Sequence, residues 1–190
     1  MGGSRAKLEK ALQEFQSAIR FSVNEAILRN SMVRITIDME KEPMEWAVEY
    51  GPSSQLVLPT IEDDTKMSLK DRERQEQVLK GIDTQFNRVQ EFAEETKKLP
   101  DGIKVVGLAS SYLNAIKIEG KLSIYFYPTG EKDSALIFLS SDEELATIEV
   151  PPFEDRIDIN YSTYSESDLV NLEDTQDNKM KEVFEKWLKD

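Results

Sequence analysis

The chain contains no cysteine and no histidine. Without cysteine there are no disulfides and no thiol chemistry, and without either residue zinc has none of its usual sulfur and imidazole ligands. Imidazole general-base catalysis is excluded too, although the lack of cysteine assigns no redox compartment. No run of about 20 apolar residues is present, which is what a membrane-spanning helix requires. Positive charge is scarce: 24 Lys and Arg against 37 Asp and Glu leave a net charge of -13. That balance argues against nucleic acid, whose phosphates need a basic face, and against an anionic membrane surface. The acidity is uneven, with about -5 in residues 131–152 and about -6 in residues 153–179. The first 130 residues are close to neutral.

What is present is enough for one domain with an appendage: 190 residues, 39% hydrophobic and 32% charged. Met1-Gly2-Gly3-Ser4 reads as an artificial leader and is set apart from the fold. From Arg5 to Asn30, the residues Leu8, Leu12, Phe15, Ile19, Val23, Ala26 and Ile27 recur at helical spacing. Lys7, Lys10, Glu14, Arg20 and Glu25 lie largely off that stripe, so the spacing predicts one long amphipathic helix laid across a sheet. Asn30 is a natural left-handed stop.

Alternation predicts a half-buried strand over Met32–Asp38, with Val33, Ile35 and Ile37 inward and Arg34, Thr36 and Asp38 outward. A second strand carrying Met44, Trp46, Val48 and Tyr50 makes a hairpin with it. Gly51-Pro52-Ser53-Ser54 reads as a break, and Gln55–Leu58 as a short third strand. A helical insertion is expected at about 62–100, with a helix over Ser68–Lys98 that starts at Ser68 and carries Leu79, Ile82, Phe86, Val89 and Ala93. Strands follow at Ile103–Leu108, at Ala115–Ile118 and Leu122–Tyr127 about a turn at Glu119-Gly120-Lys121, at Ala135–Leu139 and at Leu145–Val150. The unbroken apolar run Ala135–Leu139 reads as a central strand covered on both faces. Arg156–Asn160 is an edge strand, residues 161–179 an acidic linker, and 180–190 a terminal helix with Met180, Val183, Phe184, Trp187 and Leu188 on one face.

Two segments carry a resemblance. One is Phe15–Ile37, where Ala26-Ile27-Leu28-Arg29-Asn30 leads into Met32-Val33-Arg34-Ile35-Thr36-Ile37, with Trp46 in the next strand. The other is Gly120-Lys121-Leu122-Ser123-Ile124-Tyr125-Phe126-Tyr127-Pro128-Thr129-Gly130, followed by Ala135-Leu136-Ile137-Phe138-Leu139. Together they resemble the minor pseudopilins of type II secretion systems and the minor pilins of type IV pili, the GspH/FimT-like group.

The resemblance implies an α+β, pilin-like head over residues 5–160, with a long N-terminal helix packed on antiparallel sheets. It implies a non-enzymatic subunit in filament assembly or priming, anchored in the inner membrane by an N-terminal apolar helix, with its head in the periplasm. On this resemblance the family's cleavage and methylation site and that apolar helix would precede the residues present here. Partners would be other pseudopilins or pilins, met through the helix and the head. The expected interaction residues are Leu8, Leu12, Phe15 and Ile19, dividing their surface between their own sheet and neighbouring subunits. Independently of the resemblance, the terminal face with Trp187 either folds back on the domain as a lid or presents a Trp-anchored helix to another subunit. The competing reading is a soluble α+β interaction module of another family, docking through its two charged helices.

No catalytic or cofactor-binding residue is assigned. The carboxylate pairs Asp63-Asp64, Glu94-Glu95, Asp142-Glu143-Glu144 and Glu154-Asp155 read as solvated faces. Ser110 and Ser111 have no histidine base and no nucleophile elbow. The metal candidates are Asp155, Asp158 and Asn160, oxygen ligands at short spacing of the kind calcium takes, though no EF-hand loop is present.

Overall fold

The computed structural model describes residues 2–53, 66–111, 113 and 115–190. The expected strand at Gln55–Leu58 lies outside these residues. Helix α1 (Gly2–Arg29) follows from the apolar stripe and from the lack of proline within it. It includes Gly2, Gly3 and Ser4, which the sequence reading had set apart. It ends at Asn30, whose φ of 50° is the left-handed stop expected there. The chain then enters strand β1 (Ser31–Asp38) at once and returns in β2 (Glu45–Ser53), forming the antiparallel hairpin that the alternation predicts.

β2 continues through Gly51-Pro52 instead of breaking there. The β1–β2 register shifts between Ser31 and Val33, and the described pairing of β2 with β3 stops at Tyr50, so no ladder bond on that side needs an N–H from Pro52. Gly51 is required for a different reason. A Cβ at this position would stand 2.4 Å from the Phe86 ring.

The long helix expected over Ser68–Lys98 is half that length. Helix α2 (Leu69–Asp83) starts at Ser68, whose hydroxyl accepts from the Asp71 N–H, and ends at Thr84. The rest runs along the edge of β2 as two short strands, β3 (Asn87–Arg88) and β4 (Lys97–Lys98). Phe86 and Val89 of the expected stripe do stand at helical spacing, but they and the nearby Phe92 each meet a different neighbour. The Val89 N–H donates to Val48 O, and Phe92 lies against Phe21 and Trp46. Tertiary contacts override the local period here.

Strands β5 (Lys104–Ser110), β6 (Lys121–Phe126), β7 (Ala135–Ser140), β8 (Glu144–Val150) and β9 (Asp158–Thr163) join the earlier strands in two antiparallel sheets among the described residues. The first has the order β3-β2-β1-β6, with β4 also on β2; the second runs β5-β7-β8-β9. The hairpin expected about Gly120 does not form. β6 pairs with β1, while the 115–118 segment gives only a bridge from Lys117 to Leu108. Gly120, at φ 90°, docks on the β1–β2 turn, where its N–H donates to Glu40 and its carbonyl accepts from Met39 N–H. β7 is central and wholly buried, as its continuous apolar run predicts.

Residues 161–179 are not a linker. β9 extends to Thr163, a short helix α3 (Glu166–Val170) is held by a capping box at Ser165 and Asp168, and α4 (Leu172–Lys189) begins far earlier than 180. The polar residues of this stretch are caps and anchors, which is why their composition imitates a linker. The Tyr164 hydroxyl bonds Ser140 Oγ at 2.7 Å, Gln176 donates to both, and Lys179 reaches Ser162 Oγ at 2.7 Å.

α1 lies against both sheets. Leu8, Leu12, Phe15 and Ile19 share one core with Val33, Ile35, Ile37 and Trp46 of the first sheet and with Ile137, Leu139 and Ile148 of the second. Burying each such side chain contributes about 1.5–3 kcal/mol. The other face of the second sheet, with Leu136, Phe138 and Leu145, is covered by Met180, Val183, Phe184 and Trp187 of α4. The other face of the first sheet is partly covered by Ile82 of α2 and by Phe86 just beyond it. The fold is therefore α+β, with an N-terminal helix, antiparallel sheets and a C-terminal helix.

Candidate interaction surfaces and polar clusters

Leu8, Leu12, Phe15 and Ile19 are 0%, 1%, 0% and 1% exposed. This corrects their assignment as residues shared with neighbouring subunits, since the two sheets occupy both flanks of the stripe and leave none of its surface free. Ile27, expected inside the stripe, is half exposed, and Leu28 is largely exposed. What α1 presents to solvent is its opposite face, where Lys7, Lys10, Gln13, Ser17, Arg20 and Asn24 follow one another by three or four residues. This face carries cations on a molecule whose net charge is -13. Near its start Arg5 ties the helix to the second sheet, pairing with Glu144 and lying 3.7 Å over the Tyr161 ring.

Trp187 is folded back on its own domain. It packs against the second core and sits 5.9 Å from the Phe184 ring. It borders a cleft with Leu136, Thr147 and Asn160, so its contact is with the sheet beneath it.

The three calcium candidates do not converge. Both Asp158 carboxylate oxygens accept from Arg156, at 2.8 and 3.3 Å. Asn160 stands on the other cleft, beside Trp187 and Lys186, while Asp155 lines a cleft against α1 with Lys132. Among the described residues no group of three or more acidic side chains is placed to hold a metal ion.

That second cleft, about 320 Å³ in volume, is bounded by Ile19, Val23 and Ile157, with Arg20 and Asn24 at the helix side. Lys132 is 4% exposed, and its ammonium donates to Glu154 O at 2.6 Å. Burial pulls its pKa down, against the opposing fields of Asp155 and Glu154.

A polar cluster that the sequence reading missed lies between the first sheet and α2. Arg34, expected on a solvent face, is 1% exposed. Its guanidinium pairs with Glu49 and Asp83, each at 2.8 Å, and with the Tyr125 hydroxyl at 3.3 Å, and it lies 4.1 Å from the Phe86 ring centre. The signal for half of this was legible: the hairpin register sets Arg34 opposite Glu49. The covering helix comes from far along the chain and could not be read.

Nearby, the buried Asp133 accepts from Tyr125 N–H at 2.8 Å and from the Tyr127 hydroxyl at 3.0 Å. Desolvation nevertheless pushes its pKa up to about 6, and the same burial raises that of Tyr127. A carboxyl with a raised folded-state pKa binds more protons folded than unfolded. Its contribution to stability is therefore full below the unfolded pKa near 4 and is lost as pH rises through about 6. We expect Asp133→Asn to remove a decline of roughly 2–3 kcal/mol in unfolding free energy between those pH values. Urea melts at pH 4, 5, 6 and 7 check this, and a wild-type slope retained in the variant would refute it.

The chain was compared with protein-family models, with curated proteins and with solved structures, and it matches none of them. No described helix is long and apolar enough to cross a membrane.

Proposed function

We propose that this chain is the globular head of a minor pseudopilin or minor pilin, a non-enzymatic subunit that takes part in assembling or priming a type II secretion pseudopilus or a type IV pilus. The observation that carries the reading is α1: a 28-residue helix whose apolar side is held by two antiparallel sheets and whose other side is open. The order of elements supports it as well. The helix passes through one residue into a strand hairpin, and β6 leads into Tyr127-Pro128-Thr129-Gly130 before the central β7. In this reading the head faces the periplasm, the native protein is held in the inner membrane by an apolar segment, and α1 meets other pilins through its open side. The residues that touch neighbours are then Gln13, Ser17, Asn24, Ile27 and Leu28, in place of the buried stripe.

A photo-crosslinking amino acid placed at Gln13, Ser17 or Ile27 of the native protein, in cells with an active secretion or pilus system, tests the proposal. Adducts with other pilin subunits are expected, as is loss of filaments when the gene is deleted. Normal filaments in the deletion strain, with no adduct from any position, would sink it. A second reading, an α+β interaction module of another family, is favoured by one feature. The charged α2 leaves Leu69 and Val78 exposed, at 70% and 45%. Adducts from Val78 alone, with none from α1, would select that reading.

A further inference from the structure

The cleft between α1 and the 152–157 segment holds an ammonium that the fold does not fully use. Lys132 is 96% withdrawn from solvent, since its exposure is 4%. An ammonium has three donors, and the one bond it makes among the described residues is to Glu154 O. Burying a cation with donors unsatisfied is costly unless an anion meets it. Arg20 and Asn24, on successive turns of the exposed face of α1, add a second cation and an amide beside the same cleft, and their side chains make no hydrogen bond among the described residues.

The remaining wall sorts the anions. Val23 and Ile157, with the buried Ile19 behind them, are aliphatic and accept a short hydrocarbon stem. Asp155 lines the same cleft and the Glu154 carboxylate also acts on Lys132, so two negative charges offset the two cations, which repels a dianion such as phosphate more strongly than a monoanion. The volume of 320 Å³ is at the small end for ligand sites, enough for one side chain or a small acid.

We infer that this cleft binds an aliphatic monocarboxylate, with the carboxylate on Lys132 and Arg20 and the stem against Val23 and Ile157. The carboxylate is either a free small acid or the terminus of another polypeptide. The inference does not depend on the pilin reading and is tested on the isolated chain. Three probes are titrated against the labelled protein by amide NMR: valerate, a short alanine-rich peptide ending in valine with a free terminus, and the same peptide amidated.

Saturable shifts at Arg20, Asn24 and Lys132 are expected with at least one carboxylate and not with the amide. Tighter binding of the free peptide than of valerate identifies a polypeptide terminus as the source; binding of valerate alone identifies a free acid. Lys132→Met should weaken binding by about tenfold or more, since a charge-assisted bond is lost. The exposed Asp155→Asn should tighten it several-fold and admit phosphate, an outcome that a purely structural Lys132 does not predict. If Lys132→Met does not fold, Arg20→Ala and Asp155→Asn carry the test. Equal binding of acid and amide, binding by none of the three, or no change in the folded variants would overturn the inference.

Discussion

Replacing Arg34 by alanine is expected to lower the unfolding free energy by about 3–5 kcal/mol, the cost of breaking a buried ion pair from one side. The size follows from burial. Arg34 is 1% exposed and its partner Glu49 is 17% exposed at the side chain, so the carboxylate left behind has limited access to water. Asp83 is 43% exposed, and its share is correspondingly small. The Phe86 ring and the Tyr125 hydroxyl also lose their contact with the guanidinium. Pairing Arg34→Met with Glu49→Gln should recover most of the loss, because the volume is filled and no charge is stranded. Urea unfolding of the three proteins decides the matter. A single variant costing less than about 1 kcal/mol would show that the pair is solvated in solution. Limited proteolysis adds a local readout, since α2 and the turn after it meet the sheet through Ile82, Asp83 and Phe86, and cleavage within α2 should accelerate in Arg34→Ala.

Phe15→Ala is the second large effect, expected to cost about 3–5 kcal/mol. Phe15 is fully buried in the core shared by the two sheets, and its ring stacks on Trp46 at 4.6 Å. Its truncation opens a cavity where three elements meet, so relaxation of one cannot fill it. For a domain whose whole margin is about 5–15 kcal/mol, a fifth or more of the stability would go. The change should also alter the emission of Trp46, one of only two tryptophans. Ser17→Ala, on the exposed side of the same helix, should be neutral within about 0.5 kcal/mol. Similar melts for the two variants would mean that α1 is not held between the sheets.

The elements that were legible are those whose local pattern and tertiary role agree. The stripe from Leu8 to Ile19, the β1–β2 alternation and the solid apolar run of β7 each have one period and one environment. The misread stretches are those where the two part. Phe86 and Val89 keep a helical interval while serving different contacts along a sheet edge. Pro52 sits in a strand because the described pairing with β3 has ended before it. The 161–179 segment is poor in aliphatic residues because its helices are held by Tyr164, Gln176 and Lys179, and only Met180 of α4 is fully buried. For the site, periodicity found the buried side of α1 but could not say how much of it the fold would consume. Lys132 and Asp155 meet across 23 residues, and Arg34 and Asp83 across 49, separations at which pattern carries no information.

Asn30 has a mechanical consequence. It is the single residue between α1 and β1, and β1 is bonded on one side to β2 and on the other to β6. Tension applied along the helix therefore has no slack loop to take up. It reaches a strand gripped by two ladders whose hydrogen bonds lie across the strand direction, so a pull along that strand would load many rungs together instead of peeling them one by one.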